Sequence, residues 1–223
     1  AEELSPRDHP LGTKRLCIDT DYYKTYNRDN VTLINVRKHP IQGMTADSVK
    51  TADGEYKVDA IVFATGFDAM TGSLAKMNIV GRGGLKLNDK WEAGPRTYLG
   101  LGSAGFPNLF TITGPGSPSV LSNMPISIEQ HVEWISACLD HLRDNDLDVI
   151  EADAAAEEEW TRHVAEVAEP TLMTKVDSWY MGTNVPGKPR RFVSYLGGVG
   201  TYRDTCQQVA DDGYRGFALS KAG

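Results

Sequence analysis

The stretch Val58-Asp-Ala-Ile-Val-Phe-Ala-Thr-Gly66 constrains the fold most, because it runs apolar from Ala60 to Ala64 and stops at a glycine. A run that short, without polar alternation, reads as a strand buried on both faces, the pattern of a parallel sheet. Val31–Val36 is β-branched and apolar, and Asn108–Thr113 is a similar short run that breaks at Gly114-Pro-Gly-Ser-Pro118; both read as strands. Helical patterning separates them. Ser127 with Gln130 three residues on has capping-box spacing, and Ile128, Val132, Ile135, Leu139 and Leu142 recur at three- and four-residue steps. A second helix is expected from about Asp153 to Ala168, with Trp160, Val164 and Val167 inward and Glu157-Glu158-Glu159 outward. Trp134 and Trp160 are read as core residues on their helix faces. A short helix within 19–27, a polar hairpin around Ala52-Asp53-Gly54 and a helical turn from Gln207 complete the pattern. Strands alternating with helices place the chain in the α/β class.

Charge and cysteine usage narrow the function. The 223 residues carry 23 Lys+Arg against 30 Asp+Glu, a formal charge of −7. That balance argues against nucleic-acid binding, which needs surplus cations to neutralise phosphates. No apolar run reaches 18 residues, so no membrane span is expected, and no signal peptide opens the chain. Cys17, Cys138 and Cys206 are widely spaced and no His–Cys ligand pairs occur. Neither a disulfide framework nor a metal site is expected, and a cytoplasmic location follows.

One motif is misleading. Gly100-Leu-Gly-Ser-Ala-Gly105 satisfies G-x-G-x-x-G, but Phe106-Pro107 follows at once. The dinucleotide fingerprint needs a helix opening beneath the pyrophosphate, and a proline there disfavours one. A loop is expected instead. Lys14-Arg15 is two-sided: by residue chemistry alone it is either a solvated surface pair or an ammonium for a phosphate beside a guanidinium for a developing negative charge. Trp179 reads equally as a core aromatic, and Met124 before Pro125 as a gap-filler.

The residues in company say more. Leu11-Gly-Thr-Lys-Arg-Leu-Cys-Ile-Asp-Thr-Asp-Tyr-Tyr23, Tyr26-Asn-Arg-Asp-Asn-Val31, Phe63-Ala-Thr-Gly-Phe-Asp68, Gly114-Pro-Gly-Ser-Pro-Ser-Val-Leu-Ser-Asn-Met124, Ser127-Ile-Glu-Gln-His-Val-Glu-Trp134 and Asp177-Ser-Trp-Tyr-Met-Gly182 occur in this order. Together they resemble the Baeyer–Villiger monooxygenases, in particular the cyclohexanone and phenylacetone monooxygenase group. The resemblance runs over essentially the whole chain but covers only the C-terminal portion of that family. The family's FAD and NADP glycine motifs and its F-x-G-x-x-x-H-x-x-x-W-P signature are not in this sequence. It therefore implies the C-terminal part of a flavoprotein with two Rossmann-like domains, one for FAD and one for NADP. Residues 1–57 would be the distal segment of the NADP domain. Residues 58–223 would return into the FAD domain, with a mobile loop over about 177–192. The N-terminal part of the same enzyme is the expected partner.

The resemblance also implies roles. Arg15 matches the arginine beside the flavin that stabilises the C4a-peroxyflavin, and Lys14 the lysine that contacts the 2′-phosphate of NADPH. Asn123 and Met124 fall in the flavin-side loop, Thr65 and Gly66 in a cofactor-side signature, and Trp179 in the loop that folds over NADP⁺. Ser119, Val120 and Leu121 match residues shaping the ketone pocket, with Ser194 carried over to the same pocket. The implied reaction takes a ketone, cyclohexanone-like, to an ester or lactone with NADPH and O2. Its rivals are N- or S-oxygenation by a related flavoprotein and a non-catalytic C-terminal fragment.

Overall fold

The computed structural model describes residues 2–222 and divides into two units, one ending at Gly66 and the other beginning at Phe67. In the first unit, a short helix α1 (Tyr22–Thr25) starts where the Asp19 carboxylate accepts the Tyr22 N–H at 2.6 Å. Three short strands then form an antiparallel sheet, β1 (Ile41–Met44), β2 (Ser48–Thr51) and β3 (Gly54–Lys57), in that order. The expected hairpin at 52–54 is the β2–β3 turn, with Thr51 opposite Gly54 and Ser48 opposite Lys57.

Neither expected strand of this unit forms: 31–36 and 58–64 are irregular, and Val62 and Phe63 are 88% and 69% exposed. The cause is pairing. An apolar run becomes a strand only where a neighbour accepts from its N–H groups and donates to its C=O groups, and no described strand pairs with either run.

The second unit carries the core. It opens with the short helices α2 (Gly72–Lys76) and α3 (Leu87–Lys90), followed by α4 (Met124–Asp144). Next come β4 (Val149–Ala152), α5 (Ala154–Ala168), α6 (Val199–Asp211) and β5 (Phe217–Ser220). β4 and β5 pair antiparallel, with Ile150 opposite Leu219 and Ala152 opposite Phe217. Trp134, Trp160, Leu99, Leu101, Tyr202 and Phe217 pack into one cluster between this ribbon and the three long helices. Both tryptophans are core residues, as expected. Burial of each such aromatic contributes on the order of 2–3 kcal/mol. Residues 108–113 form no strand; Asn108 instead clasps β4, its N–H and side chain bonding to the Ile150 and Asp148 carbonyls. The G-x-G-x-x-G stretch is a turn closed by the Tyr98–Gly102 bridge, with no helix after it.

Two helix expectations shift. α4 begins three residues before Ser127, with Asn123 as N-cap. Its buried face is Ser127, Gln130, His131, Trp134, Cys138 and Leu142, while Ile128, Val132 and Leu139 of the expected stripe are exposed. α4 carries two apolar stripes, and α6 packs against the one holding Trp134, whose Nε1–H donates to the Cys206 carbonyl at 2.9 Å. α5 has the expected span and buries Trp160 and Val164, but Glu157 is buried too rather than solvated. Its carboxylate accepts from Lys90 Nζ at 2.7 Å and from the Ala104 N–H at 2.9 Å. A buried carboxylate persists only when paired in this way. α6 begins eight residues before the helical turn expected from Gln207.

Candidate functional site

In the first unit, a cleft of about 960 Å³ runs along residues 6–23. Lys14, Arg15, Tyr22 and Tyr23 are among the residues that line it. The Pro/Gly loop before them is fixed by Thr13, whose hydroxyl donates to the Pro10 carbonyl at 2.7 Å. Thr13 is buried, Lys14 half-buried and Arg15 exposed, so the chain anchors one residue and presents the next two. The nearby Asp8 carboxyl is held below the usual carboxylate range, first by its hydrogen bond with His9 and further by the positive field of Lys14. Thr65 and Gly66 lie in the exposed segment that ends this unit, and Gly66 takes a φ of +87°. That value is strained for any residue with a Cβ.

The pocket residues expected from the sequence lie in the second unit. Ser119–Leu121 form a single 3₁₀ turn just before α4, and Ser119 is held at a φ of +34° while fully buried. Val120 and Leu121 pack against Tyr180, Met181 and Phe192, in the cluster that also holds Trp179. Trp179 is half-buried and stacks on Tyr180 with ring centroids 4.0 Å apart. Ser194 is completely buried, and its hydroxyl has no partner among the described residues; the same holds for the Ser178 hydroxyl. Met124 is half-buried at the first position of α4 and Asn123 is exposed. Asn123 makes no side-chain cap.

The segment after Trp179 is tied down. Lys188 pairs with Asp68 and donates to the Ala69 carbonyl at 3.0 Å, and Asn184 Nδ2 donates to the Phe67 carbonyl at 3.2 Å. Sequence reasoning missed this clasp, because its partners lie almost 120 residues apart. It also missed His131, fully buried in α4, whose Nδ1 accepts the Thr113 N–H at 2.8 Å. Burial pushes that imidazole down to about 4. The only signal for it was a histidine on a helix face already read as apolar. Among the described residues, no group of three metal-ligating side chains comes together, and no helix is long and apolar enough to cross a membrane.

No family model matches the chain. It is 47% identical over 97% of its length to an acetone monooxygenase (methyl acetate-forming) of Gordonia sp. (strain TY-5), covering 41% of that protein. It is 41% identical over 98% of its length to a cyclohexanone 1,2-monooxygenase of Acinetobacter sp, covering 40% of it. The chain is homologous to the Baeyer–Villiger monooxygenases. It spans about two fifths of the length of the curated relatives it matches, consistent with a C-terminal portion. Within the same range of identity stands a phenazine N-monooxygenase, PhzNO1, of Lysobacter antibioticus, 44% identical over 98% of this chain and 40% of that protein. In structure, the chain superposes with TM-score 0.91 on an oxidized steroid monooxygenase bound to NADP, at 48% identity over 99% of this chain and 42% of that one. It superposes with TM-score 0.92 on OTEMO in complex with FAD and NADP, at 42% identity over 98% of this chain and 40% of that one. Over the part it spans, the chain has the mixed α/β architecture of these flavoprotein monooxygenases.

Proposed function

We propose that this chain is part of a Baeyer–Villiger monooxygenase that binds FAD and NADPH and converts ketones, cyclic ones among them, to esters or lactones with O2. The observation that carries the reading is Lys14 beside Arg15, both lining one cleft, in a chain 41–47% identical to a cyclohexanone and an acetone monooxygenase. In this reading residues 1–57 belong to the NADP domain and 58–223 to the FAD domain.

The residues present fit part of each cofactor. The uncapped amino end of α4 and the 119–124 turn offer backbone donors and apolar side chains to the flat ring of a flavin, with Met124 at its edge. Thr65 and Gly66 are assigned to the cofactor side as well. Lys14 offers an ammonium to the extra phosphate of NADPH. The Gly100–Gly105 stretch opens no helix, so the phosphate cradles are assigned to the remaining length found in the relatives. When bound, the flavin supplies oxygen activation and the nicotinamide the hydride. What the chain's own residues do is orient and compensate charge. Arg15 places a guanidinium that cannot lose its proton where negative charge develops. Val120, Leu121 and Trp179, with Ser119 and Ser194, give the ketone an apolar wall with few polar groups. The Trp179–Lys188 segment acts as a lid over NADP⁺ that excludes water.

The assay that tests the function offers the complete enzyme cyclohexanone and phenazine separately, with NADPH and O2, and identifies products by mass spectrometry. The lactone is expected. An N-oxide from phenazine with no lactone would favour the second reading, which rests on the phenazine N-monooxygenase relative.

Two further outcomes are expected. Lys14→Ala should raise the KM for NADPH roughly 10- to 100-fold, the worth of one charge-assisted hydrogen bond, and leave that for NADH nearly unchanged. Equal losses for both would make Lys14 structural. NADP⁺ should slow protease cutting between 182 and 190 several-fold, and Lys188→Ala should speed it by freeing the clasp to Asp68. Cutting indifferent to NADP⁺ would remove the lid from the reading.

A further inference from the structure

The second unit opens on a turn, residues 67–72, whose backbone is strained. Met70 takes a φ of +66°, uncommon for a residue with a Cβ. Ser119, in the 3₁₀ turn before α4, takes +34° and is fully buried. Strain of this kind persists only where the surroundings over-determine it. Here the two strained residues meet, although they stand 49 positions apart: Ser119 Oγ donates to Met70 Sδ at 3.8 Å.

The same turn holds the segment after Trp179. Lys188 Nζ donates to the Asp68 carboxylate and to the Ala69 carbonyl at 3.0 Å, and Asn184 Nδ2 donates to the Phe67 carbonyl at 3.2 Å. Gly72 leaves room for Asp68, since a Cβ there would sit 2.6 Å from Asp68 Cβ. The Lys188 and Asp68 side chains are 16% and 39% exposed, more shielded than a surface ion pair. A cavity of about 340 Å³ is lined by Val185, Pro186 and Lys188 together with Trp91 and Pro95. Part of the segment therefore borders open space, and polar tethers rather than close packing hold it. The contacts of 67–70 to distant residues thus divide. Phe67, Asp68 and Ala69 hold 184–188, while Met70 holds Ser119, whose neighbours Val120 and Leu121 pack in the cluster with Trp179.

From this we infer that the turn 67–70 links the lid to the wall of the ketone pocket, with Met70 as the positioning residue that sets the 119–121 turn. The inference rests on the proposed function, in which the lid closes over NADP⁺ and 119–121 shapes the ketone site. With the clasp made, Phe67–Ala69 are fixed, Met70 is held at its strained φ, and Ser119 is kept in place. With the clasp open, Met70 relaxes and the 119–121 turn loosens with it. The ketone wall is then complete only under a closed lid, so cofactor occupancy reaches the ketone site through Met70.

Hydrogen exchange in the complete enzyme, read on peptides spanning 118–123, tests the link without any turnover. The Leu121 N–H donates to the Pro118 carbonyl at 3.1 Å and the Ser122 N–H to the Ser119 carbonyl at 2.9 Å, so both amides report the turn. Lys188→Ala is expected to speed their exchange roughly fivefold, the worth of one lost hydrogen bond. Lys188→Arg, which keeps a cation for Asp68, should restore the slow rate. Met70→Leu conserves volume but removes the sulfur acceptor, and should speed the same amides with the clasp intact. The two changes combined should add nothing to the larger single effect. With cyclohexanone, Met70→Leu should raise the ketone KM roughly three- to tenfold and leave the KM for NADPH and the rate of flavin reduction unchanged. A general loss of stability would not give that split. Exchange unmoved by Lys188→Ala, or effects of the two variants that multiply, would overturn the link. Faster exchange with an unchanged ketone KM would overturn the role of Met70 in the pocket. An enzyme that turns over no ketone yet shows the exchange changes would sink the proposed function and uphold the link.

Discussion

Arg15→Ala in the complete enzyme is expected to lower ester formation from cyclohexanone about 10²–10³-fold, the usual worth of a donor aimed at developing negative charge. NADPH should still reduce the flavin at close to the normal rate, because the loss falls on the step that follows. The separation follows from the proposed roles, Lys14 on the NADPH phosphate and Arg15 on the charge that develops later; both residues line one cleft. Arg15→Lys should recover little, because an ammonium replaces a planar fork with a point charge and is more strongly hydrated. Product yield and stopped-flow flavin reduction, read on the same preparation, check both halves. Normal ester yield in the alanine variant would remove Arg15 from the chemistry.

Acid should destabilise the second unit through His131. Its hydrogen bonds fix the tautomer. Nδ1 accepts from the Thr113 N–H, and Tyr202 Oη donates to the Leu99 carbonyl at 2.6 Å, so Nε2–H donates to Tyr202 at 2.9 Å. A proton on Nδ1 would face the Thr113 N–H with no acceptor. Burial accordingly pushes the imidazole down from its ordinary 6.5 to about 4. A depressed histidine means the unfolded chain binds the proton first. The stability held above about pH 6.5 is lost as pH falls toward 4, amounting to about 3 kcal/mol at 1.36 kcal/mol per unit. Urea denaturation at pH 7 and pH 4 measures the loss. His131→Gln keeps a donor and an acceptor without titrating, and should flatten the difference by that amount. An unchanged pH slope in that variant would place the acid sensitivity elsewhere. Burial raises the Tyr202 hydroxyl well above its ordinary range, so it stays protonated and donates to the Leu99 carbonyl.

The two arguments draw on different kinds of legibility. Lys14, Arg15, the 114–124 loop and Trp179 stand in short strings of residue types that are legible in the sequence, and read together those strings point to the family of the relatives. The contacts around them were not visible. The Lys188–Asp68 clasp and the Glu157–Lys90 pair join residues far apart in the chain.

Local physics was enough for α5, whose span was legible to within one residue, and for the β2–β3 turn at Asp53-Gly54. It was also enough to reject a nucleotide cradle at Gly100–Gly105, since Pro107 forbids the helix such a cradle needs. In each case the deciding interactions lie within a few residues of each other. Tertiary structure decided the rest. The runs at 31–36, 58–64 and 108–113 have strand composition, but a strand exists only with a neighbour, and no described strand pairs with them. α4 has two apolar stripes of similar strength by pattern. The one carrying His131, Trp134 and Cys138 is buried because α6 brings Tyr202 and Cys206 against it, and the exposed stripe of Ile128, Val132 and Leu139 differs only in lacking such a partner here. Periodicity states that a helix has a face to bury; which face, and against what, is settled by residues seventy positions away.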